Sequence, residues 1–417
     1  MMTCYSAVIV GGGAAGLTAA VFLARELKNA GSVLLLEKQP RVGKKLLATG
    51  NGTCNISNIH AAPARYHGAP ELAKAVLSQF SPEDTLAFFE TLGLECTTRP
   101  DGKCYPVSEQ ASAVLDCLRL ELSARGVEER CDTAVLGIKK GKDGFLLSTS
   151  TGEVKAKTVL LAPGGAAAPS LGGSSDGYAL LTDLGHTRTP LFPSIVQLRT
   201  DTTFVRSMKG IRVDARISVK TDREVKAETG EILFTDYGIS GPAAMQVSRV
   251  AADWERQKRE DCVAILDLFP EREEQELFTL LKRRTSLPGR TCENFLTGFL
   301  NKRVGQTLLR SIGKSPNAPV TDLTDRDLKQ LAGQMKNWVF PVTGTNGFGG
   351  AQVTAGGIRA NEVEPTTLQS RLVPGLFLAG EVLDVDGDCG GFNLQFAFSG
   401  AAVAAKGMLS LLKGRQV

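Results

Sequence analysis

The sequence predicts an α/β fold with one discontinuous domain, residues 1–190 and 341–417, and an insert at 191–340. Three observations support this prediction. Residues 6–37 follow a strand, turn, helix, strand pattern, and the segment after Pro341 returns to a buried strand and a helix of small residues. The stretch between them has a different pattern of short alternating runs. The residue pattern therefore changes twice, as it does when one domain interrupts another.

The insert itself divides into two parts. Residues 191–270 contain short alternating runs such as IRVDARISVK and CVAILDLF, which predict a β-rich part, either a small antiparallel sheet or a barrel. Residues 271–340 are charged and have helical periodicity, so we expect a helical part.

Composition narrows the class of protein. A chain of 417 residues is long enough for two cores. Its 42% hydrophobic and 22% charged residues are typical of a soluble globular protein, and no apolar run approaches the roughly 20 residues of a membrane helix. The 48 basic and 44 acidic residues nearly balance, which argues against a nucleic-acid partner. We therefore expect a small-molecule substrate and no membrane partner.

Cysteine usage and the N-terminus bear on location. The nine cysteines are an odd number and form no CxxC pair, so we expect reduced thiols. The first residues lack the pattern of a secretory signal. Both features predict a cytoplasmic protein, while the oligomeric state stays open.

A glycine motif lies between the first strand and the first helix. Gly11, Gly13 and Gly16 form GxGxxG, and with Ala14 and Ala15 between them the backbone N–H groups can approach a pyrophosphate at the helix N-terminus. Glu37 ends the second strand, 21 residues beyond Gly16, where a carboxylate can accept hydrogen bonds from ribose hydroxyls. The pattern predicts a Rossmann-like dinucleotide site. An acidic residue favours FAD or NAD over NADP, without choosing between those two.

Three further segments favour FAD. Residues 43–55 form a Gly/Asn-rich loop after the second strand, of the kind that flavoproteins run along the pyrophosphate and the flavin. Residues 158–165 read as an apolar strand that ends in small residues. Residues 378–384 and 390–395 precede a small-residue helix whose N-terminus could face the flavin. Because only one GxGxxG follows a strand, NAD(P)H could serve only as a transient electron donor.

Four blocks carry a resemblance to a known family: GGGAAGL at 11–17, GKKLLATGNGTCNISN at 43–58, GGSSDGYALLTDLGH at 172–186 and AGEVLDVDGDCGGFNLQFAFSG at 379–400. In this order they resemble the BaiN/YhiN-like family of bacterial FAD-dependent oxidoreductases, which includes an aminoacetone oxidase and a 3-dehydro-bile-acid reductase. The resemblance implies a discontinuous FAD domain, an inserted β-barrel with a helical region, and a substrate cleft between insert and flavin. Relatives often have Arg at Thr53 and Thr or Ser at Pro163, so the effect of these two departures is open.

The resemblance also implies site residues, carried over by position. FAD contacts would fall on Gly11, Gly13, Ala14, Ala15, Gly16, Glu37, Lys38, Lys44, Gly50, Asn51, Gly52, Asn55, Val135 through its backbone, Gly164, Gly165, Gly380, Glu381, Asp384, Gly391, Asn393, Leu394 and Gln395. Substrate contacts would involve Tyr237, in a segment similar to FTHxGISGP of relatives, and Phe348, in the Gly-rich stretch 346–358.

Three other features have ordinary interpretations. Cys54 lacks a nearby partner cysteine, which favours an inert buried thiol. His186 follows a helix end, where its side chain would contact the last carbonyls. The spacing of Asp384, Asp386 and Asp388 suggests a calcium loop, yet the downstream Glu is absent, so we expect no metal. No catalytic residue is assigned.

The favoured function is an FAD-dependent oxidoreductase that uses NAD(P)H to reduce an activated C=C bond in a small apolar substrate such as a steroid or bile acid. One alternative is a flavin amine oxidase that acts on a small amino ketone with oxygen as acceptor. Another is a non-catalytic FAD protein that senses redox state or binds a partner.

Overall fold

Two compact units make up the chain in the computed structural model, which describes residues 4–27, 29 and 32–414. The first unit contains the described residues up to 192 and from 352 onward, and the second contains residues 193–351. The chain thus leaves the first unit once and returns to it.

The first unit begins with the elements β1 (Cys4–Val10), α1 (Ala14–Glu26), β2 (Val33–Leu36), α2 (Lys44–Leu47), β3 (Ser57–Asn58), β4 (Tyr66–Gly68), α3 (Pro70–Leu77), α4 (Pro82–Glu90), β5 (Cys96–Thr98), β6 (Lys103–Pro106), α5 (Ala111–Ala124), β7 (Glu128–Arg130), β8 (Val135–Lys140), β9 (Phe145–Thr149), β10 (Gly152–Leu161) and α6 (Asp176–Asp183). A sheet joins six of these strands in the order β7-β2-β1-β10-β9-β8. The pairs β7–β2, β2–β1 and β1–β10 are parallel. Strands β1 and β2 are apolar runs because helices and loops cover both faces, and Ile9 and Leu35 are fully buried.

The second unit starts at strand β11 (Phe192–Ser194), which spans the division between the units. Its further elements are β12 (Leu198–Thr200), α7 (Thr202–Val205), β13 (Arg212–Thr221), β14 (Val225–Phe234), β15 (Gly238–Ser240), α8 (Pro242–Gln257), β16 (Cys262–Asp267), α9 (Glu274–Thr285), α10 (Lys302–Ser311), α11 (Asp325–Lys336), β17 (Trp338–Thr345) and α12 (Gly347–Gly350). Six strands close a barrel in the order β12-β15-β14-β13-β16-β17. Phe234, Trp338 and Phe340 are buried and pack against one another with tilted rings.

Two details of the insert differ from its sequence pattern. Residue 341, where the first domain was predicted to resume, lies inside β17. The predicted β-rich stretch also contains the 16-residue helix α8. Its signal was the sequence Gly241-Pro242, because proline suits the first turn of a helix, followed by Ala244, Val247 and Ala251, which are buried at helical spacing.

The chain then completes the first unit with β18 (Val353–Ala355), β19 (Leu376–Leu378), β20 (Val385–Gly387) and α13 (Phe392–Gly414). Strand β19 adds to the main sheet in parallel beside β10, and β20 pairs with β4. Helix α13 is long and apolar enough to cross a membrane by length and composition, but 72% of its most apolar window is buried inside the protein. It therefore has the character of a core helix. The predicted α/β fold with an inserted β-barrel and helices is confirmed.

Candidate functional site

The glycine turn connects β1 to α1. Gly11 has φ +107° and Gly16 packs against the Gly11 carbonyl, so a side chain at either position would collide with backbone. Gly13 is different, because a Cβ there would have no heavy atom of the described residues within 4 Å. Ala14 and Ala15 form the first turn of α1. Packing thus explains Gly11 and Gly16, whereas the space beside Gly13 suits a bound pyrophosphate.

Glu37 braces this turn from the end of β2. One carboxylate oxygen accepts a 2.7 Å hydrogen bond from the Gly12 N–H, and the other accepts a 2.8 Å bond from the Gln39 N–H. The Glu37 carbonyl also accepts a hydrogen bond from the Thr133 N–H. Strand β8 begins at Val135, two residues after Thr133. A carboxylate has about four acceptor positions, so Glu37 retains capacity for ribose hydroxyls.

The loop of residues 43–55 is tightly wound against the glycine turn. The backbone N–H of Gly43 donates a 2.8 Å hydrogen bond to that turn. Gly50 and Asn51 have φ values of +56° and +54°, which favour glycine and asparagine. Gly52, at φ +92°, has open space on its Cβ side within the described structure. At Gly52 this loop therefore presents backbone to open space.

Asn55 has a buried polar atom without a protein partner. Its Oδ1 atom accepts no hydrogen bond from the described residues. Gly391 packs against this atom, since a Cβ at Gly391 would lie 2.8 Å from it. An orphaned buried acceptor is costly unless something bonds to it, so this atom fits a ligand N–H or O–H group.

Two lysines after β2 are already engaged. Lys38 contacts Ser174 at 2.5 Å and forms a 3.0 Å ion pair with Asp176. Lys44 donates a 3.2 Å hydrogen bond to the Gln39 amide oxygen. Both were predicted FAD contacts, and both side chains would have to share or exchange these partners to reach a phosphate.

Lys45 and Glu381 form an ion pair that the sequence analysis missed. Their charged atoms are 2.7 Å apart. The other Glu381 oxygen accepts a 2.9 Å hydrogen bond from the Thr354 N–H, and Gly165 packs against that same oxygen. Gly380 has φ +78°, and a Cβ there would lie 3.2 Å from the Ala15 Cβ in the first turn of α1. Four segments that are distant in sequence therefore meet at one carboxylate.

The end of β10 provides further open backbone. Gly164 has φ +78°, and a Cβ there would meet no described heavy atom within 4 Å. Its neighbour Pro163 packs against Gly177 of α6, while Thr53 closes its own turn by donating a 2.6 Å hydrogen bond to the Gly50 carbonyl. Both departures from the family pattern thus have structural uses here.

The start of α13 holds the loop before it. The Asn393 side chain accepts a hydrogen bond from the Gly387 N–H and donates to the Gly387 and Asp388 carbonyls. Gly391 has φ +97°, and Leu394 is half-buried in the first turn. Asn393 is thereby fixed by the protein, and its side chain orders the loop.

Gln395 points into the core. It is fully buried, its amide oxygen accepts a 2.5 Å hydrogen bond, and its amide nitrogen donates two bonds of 2.8 Å. The three hydroxyl partners belong to Ser57, Thr85 and Ser399. The predicted contact of Gln395 with FAD could therefore use only its backbone.

The three aspartates after Glu381 lie along β20 and its flanks. Asp386 and Asp388 are buried, and Asp388 pairs with Arg65 at 3.5 Å and with His67 at 3.1 Å. Asp384 is half-buried, and its carbonyl accepts a hydrogen bond from the N–H of residue 69. Across residues 4–27, 29 and 32–414 no cluster of His, Cys, Asp or Glu suits a metal ion.

The predicted substrate residues belong to the second unit. Tyr237 is half-buried in the turn between β14 and β15, and its carbonyl accepts a hydrogen bond from the Thr200 N–H. Phe348 is half-buried in the short helix α12. Gly347 and Gly349 on either side have open space on their Cβ sides within the described structure. Both aromatic rings thus keep surface available for a ligand.

Cys54 is fully buried within the loop, at φ +56°. Burial raises the pKa of its thiol to about 11. A thiol of this kind is protonated at neutral pH and is a poor nucleophile, which agrees with an inert role.

His186 is buried rather than placed on helix carbonyls. Its Nδ1 lies 2.9 Å from Glu362, and its Nε2 lies 2.9 Å from the Ser370 hydroxyl. That hydroxyl accepts hydrogen bonds from the N–H groups of Leu372 and Val373, so its own proton is donated to Nε2. The imidazole proton is therefore on Nδ1 and is donated to Glu362. His186 therefore joins Glu362 and Ser370 by hydrogen bonds and has a structural role.

Comparison with known proteins defines the class. A family model described as an HI0933-like protein Rossmann domain matches residues 5–407. The chain is 40% identical over 401 residues to a 3-dehydro-bile acid delta(4,6)-reductase from Clostridium scindens, covering 95% of this chain and 97% of the relative. It is 29% identical over 408 residues to a ribosomal RNA dihydrouridine synthase from Escherichia coli, covering 97% and 98%.

Solved structures show the same fold at low identity. The FrdA subunit of E. coli quinol fumarate reductase has a TM-score of 0.52 at 18% identity, over 100% of this chain and 72% of that chain. A 3-ketosteroid delta1-dehydrogenase from Sterolibacterium denitrificans has a TM-score of 0.52 at 13% identity, over 98% and 100%. At these identities the likeness concerns the fold alone.

The fold and the family match define a Rossmann-type flavoprotein, and the protein is an FAD-dependent oxidoreductase. The chain belongs to the HI0933-like family. The predicted resemblance is therefore confirmed. The open side of Gly13, the open backbone at Gly52 and Gly164, and the unpartnered Asn55 oxygen all fit a bound FAD.

Proposed function

We propose that this enzyme uses NAD(P)H to reduce a C=C bond conjugated to a carbonyl, in a small apolar substrate of the steroid or bile-acid type. The observation that carries the substrate class is the 40% identity, over 95% of the chain, to a 3-dehydro-bile acid delta(4,6)-reductase.

The reaction type has independent support. Dihydrouridine differs from uridine by saturation of a C=C bond conjugated to a carbonyl, so the relatives named as dihydrouridine synthases perform chemistry of the same type on a different molecule. Two groups of relatives with different substrates thus share one reaction. The substrate class follows the nearer of the two, since 40% identity exceeds 29%.

In this proposal the first unit binds FAD. The N–H groups of the glycine turn and the N-terminus of α1 hold the pyrophosphate, Glu37 binds the ribose, and the Asn55 oxygen accepts a hydrogen bond from the cofactor. When bound, FAD would supply hydride transfer from the nicotinamide to one carbon of the C=C bond, and a proton from solvent would add to the other carbon. Because the chain has a single GxGxxG turn after a strand, the nicotinamide binds only transiently.

Tyr237 and Phe348 of the second unit are the proposed substrate residues. The Tyr237 hydroxyl can donate a hydrogen bond to the substrate carbonyl, which stabilises negative charge that develops there during hydride transfer. The Phe348 ring offers apolar surface to a flat ring system.

All nine cysteines lie in the described structure and are free thiols, which supports a reducing, cytoplasmic location.

The test is an anaerobic titration of the FAD-loaded enzyme with NADH and then NADPH, following flavin absorbance near about 450 nm. The reduced enzyme is then mixed with a 4-en-3-one steroid, with rRNA that lacks dihydrouridine, or with aminoacetone in air. Bleaching by NAD(P)H and recovery of colour with the steroid supports the proposal. Recovery with RNA alone would assign the substrate to nucleic acid, and turnover of aminoacetone without NAD(P)H would establish the oxidase alternative.

A further inference from the structure

Lys45 lies in the short helix α2 of the first unit and forms an ion pair with Glu381. Its side chain is 30% exposed and that of Glu381 is 20% exposed, so the pair is partly shielded from water. A 2.7 Å ion pair in this setting interacts more strongly than a fully solvated one. The two residues are 336 positions apart in sequence, so the contact joins the two ends of the discontinuous domain.

Glu381 connects the segments that surround the glycine turn. Its second oxygen accepts the Thr354 N–H at 2.9 Å, and the Thr354 hydroxyl in turn accepts the Ala167 N–H at 2.9 Å. Gly165 packs against both Glu381 and Thr354. A rotation of the Glu381 carboxylate would therefore disturb the backbone after β10 and before β19 together.

Charge makes Lys45 more than a structural partner. Glu37 accepts a hydrogen bond from the glycine turn that would bind an anionic pyrophosphate. Gly380, next to Glu381 in the chain, lies against Ala15 in the first turn of α1. Lys38 is engaged by Asp176, which is 70% exposed and lies outside this group of contacts. Without Lys45, the Glu381 carboxylate would be a partly buried and unneutralised anion beside another anion, which is unfavourable.

We propose that Lys45 is a positioning residue for FAD, which neutralises and orients Glu381 so that the anionic cofactor can bind at the Gly11–Gly16 turn. This inference rests on the proposed placement of FAD at that turn. Lys45 affects FAD binding in this proposal through the charge of Glu381. Glu381→Gln should therefore remove most of the effect of Lys45 on FAD affinity.

The experiment measures FAD affinity of the apo-protein by fluorescence titration, together with the melting temperature of the apo-protein. The variants are Lys45→Met, Lys45→Arg, Glu381→Gln and the Lys45→Met/Glu381→Gln double variant. Arg41→Met is the matched control, because it removes a positive charge from the same segment at an exposed position. We expect Lys45→Met to weaken FAD binding about tenfold or more, and Lys45→Arg and Arg41→Met to change it less than about threefold.

The double-variant comparison is decisive. In the Glu381→Gln background, Lys45→Met should cost less than about threefold in FAD affinity. Equal losses in both backgrounds, or a Lys45→Met affinity like that of Arg41→Met, would overturn the inference. Lys45→Gln replaces Lys45→Met if the methionine variant does not fold.

A further variant separates this inference from the placement of FAD. Gly13→Asp should weaken FAD binding about thirtyfold or more if the cofactor lies at the glycine turn. If Gly13→Asp binds FAD normally, the placement is wrong and the inference fails with it. If Gly13→Asp loses FAD while Lys45→Met keeps it, the role of Lys45 alone is refuted.

Discussion

Replacing Gly13 by Asp should stabilise the empty protein and weaken its cofactor binding at the same time. Gly13 is the N-cap of α1, with φ −85° and ψ −169°, a conformation open to any residue, and no described heavy atom lies within 4 Å of its Cβ position. The cap has no side-chain hydrogen bond. Asp is a favoured N-cap, yet glycine is only slightly worse, so we expect a gain of about 0–0.5 kcal/mol in the free energy of unfolding of the apo-protein.

The effect on FAD has the opposite sign. A carboxylate in the space beside Gly13 would face the pyrophosphate, and two unit charges about 4 Å apart repel by about 4 kcal/mol at an effective dielectric constant of about 20. Even half of that energy corresponds to a loss of about thirtyfold in affinity. Gly13→Ser adds a small cap without charge, so its loss should be smaller than that of Gly13→Asp.

Urea unfolding of the apo-protein and fluorescence titration with FAD provide the two readouts. Gly16→Ala is the contrasting variant, because its Cβ would collide with the Gly11 backbone, and it should destabilise the apo-protein by about 2 kcal/mol or more. The reasoning is refuted if Gly13→Asp binds FAD within threefold of the wild type, or if it destabilises the apo-protein as much as Gly16→Ala does.

Three further predictions concern the core around the site. Gln395→Ala should destabilise the protein by about 2–4 kcal/mol in urea unfolding, because three buried hydroxyl groups each lose one hydrogen bond. Weak FAD binding by a variant of unchanged stability would instead show that Gln395 contacts FAD directly. Cys54, with a pKa of about 11, should resist iodoacetamide at about pH 8 while the exposed Cys4 reacts, and mass spectrometry of peptides that finds equal labelling would contradict this. Burial alone would raise the pKa of Glu362, but hydrogen bonds from Thr187 and His186 lower it below its usual range. Its contribution to stability should therefore be complete above the unfolded pKa of about 4.3 and be lost as pH falls through the lower folded value. A stability gap between wild type and Glu362→Gln that grows toward low pH would contradict this sign.

Local patterns made much of the fold predictable. The apolar run before Gly11 and the small-residue run after Gly391 produce β1 and α13, because periodicity and glycine placement act over a few residues. The insert was predicted as β-rich and then helical, but α8 was missed. The sequence Gly241-Pro242 marks the start of α8. The residues on both sides of the helix alternate apolar and polar side chains, so the whole stretch was predicted as strands.

The site was less predictable than the fold, because its contacts join distant segments. Nothing local marks Lys45 as the partner of Glu381, since the same segment contains Lys44 with a different partner. The direction of the Gln395 side chain depends on hydroxyl groups of Ser57 in β3 and Thr85 in α4. Its third partner, Ser399, lies one turn further along the same helix. Likewise, the Glu362 partner of His186 is 176 residues away. Sequence motifs therefore predicted the glycine turn, whereas tertiary contacts determine the partners of Lys45, Gln395 and His186.

The central claim, reduction of a conjugated C=C bond by an NAD(P)H-reduced flavin, is tested most directly by a single turnover. Enzyme reduced by NAD(P)H is freed of excess nucleotide and mixed without oxygen with a 4-en-3-one steroid, while flavin absorbance and the steroid product are measured together. The account predicts that flavin reoxidises and that saturated ketone forms in equal amount. Flavin that stays reduced, or that reoxidises without saturated product, would contradict it.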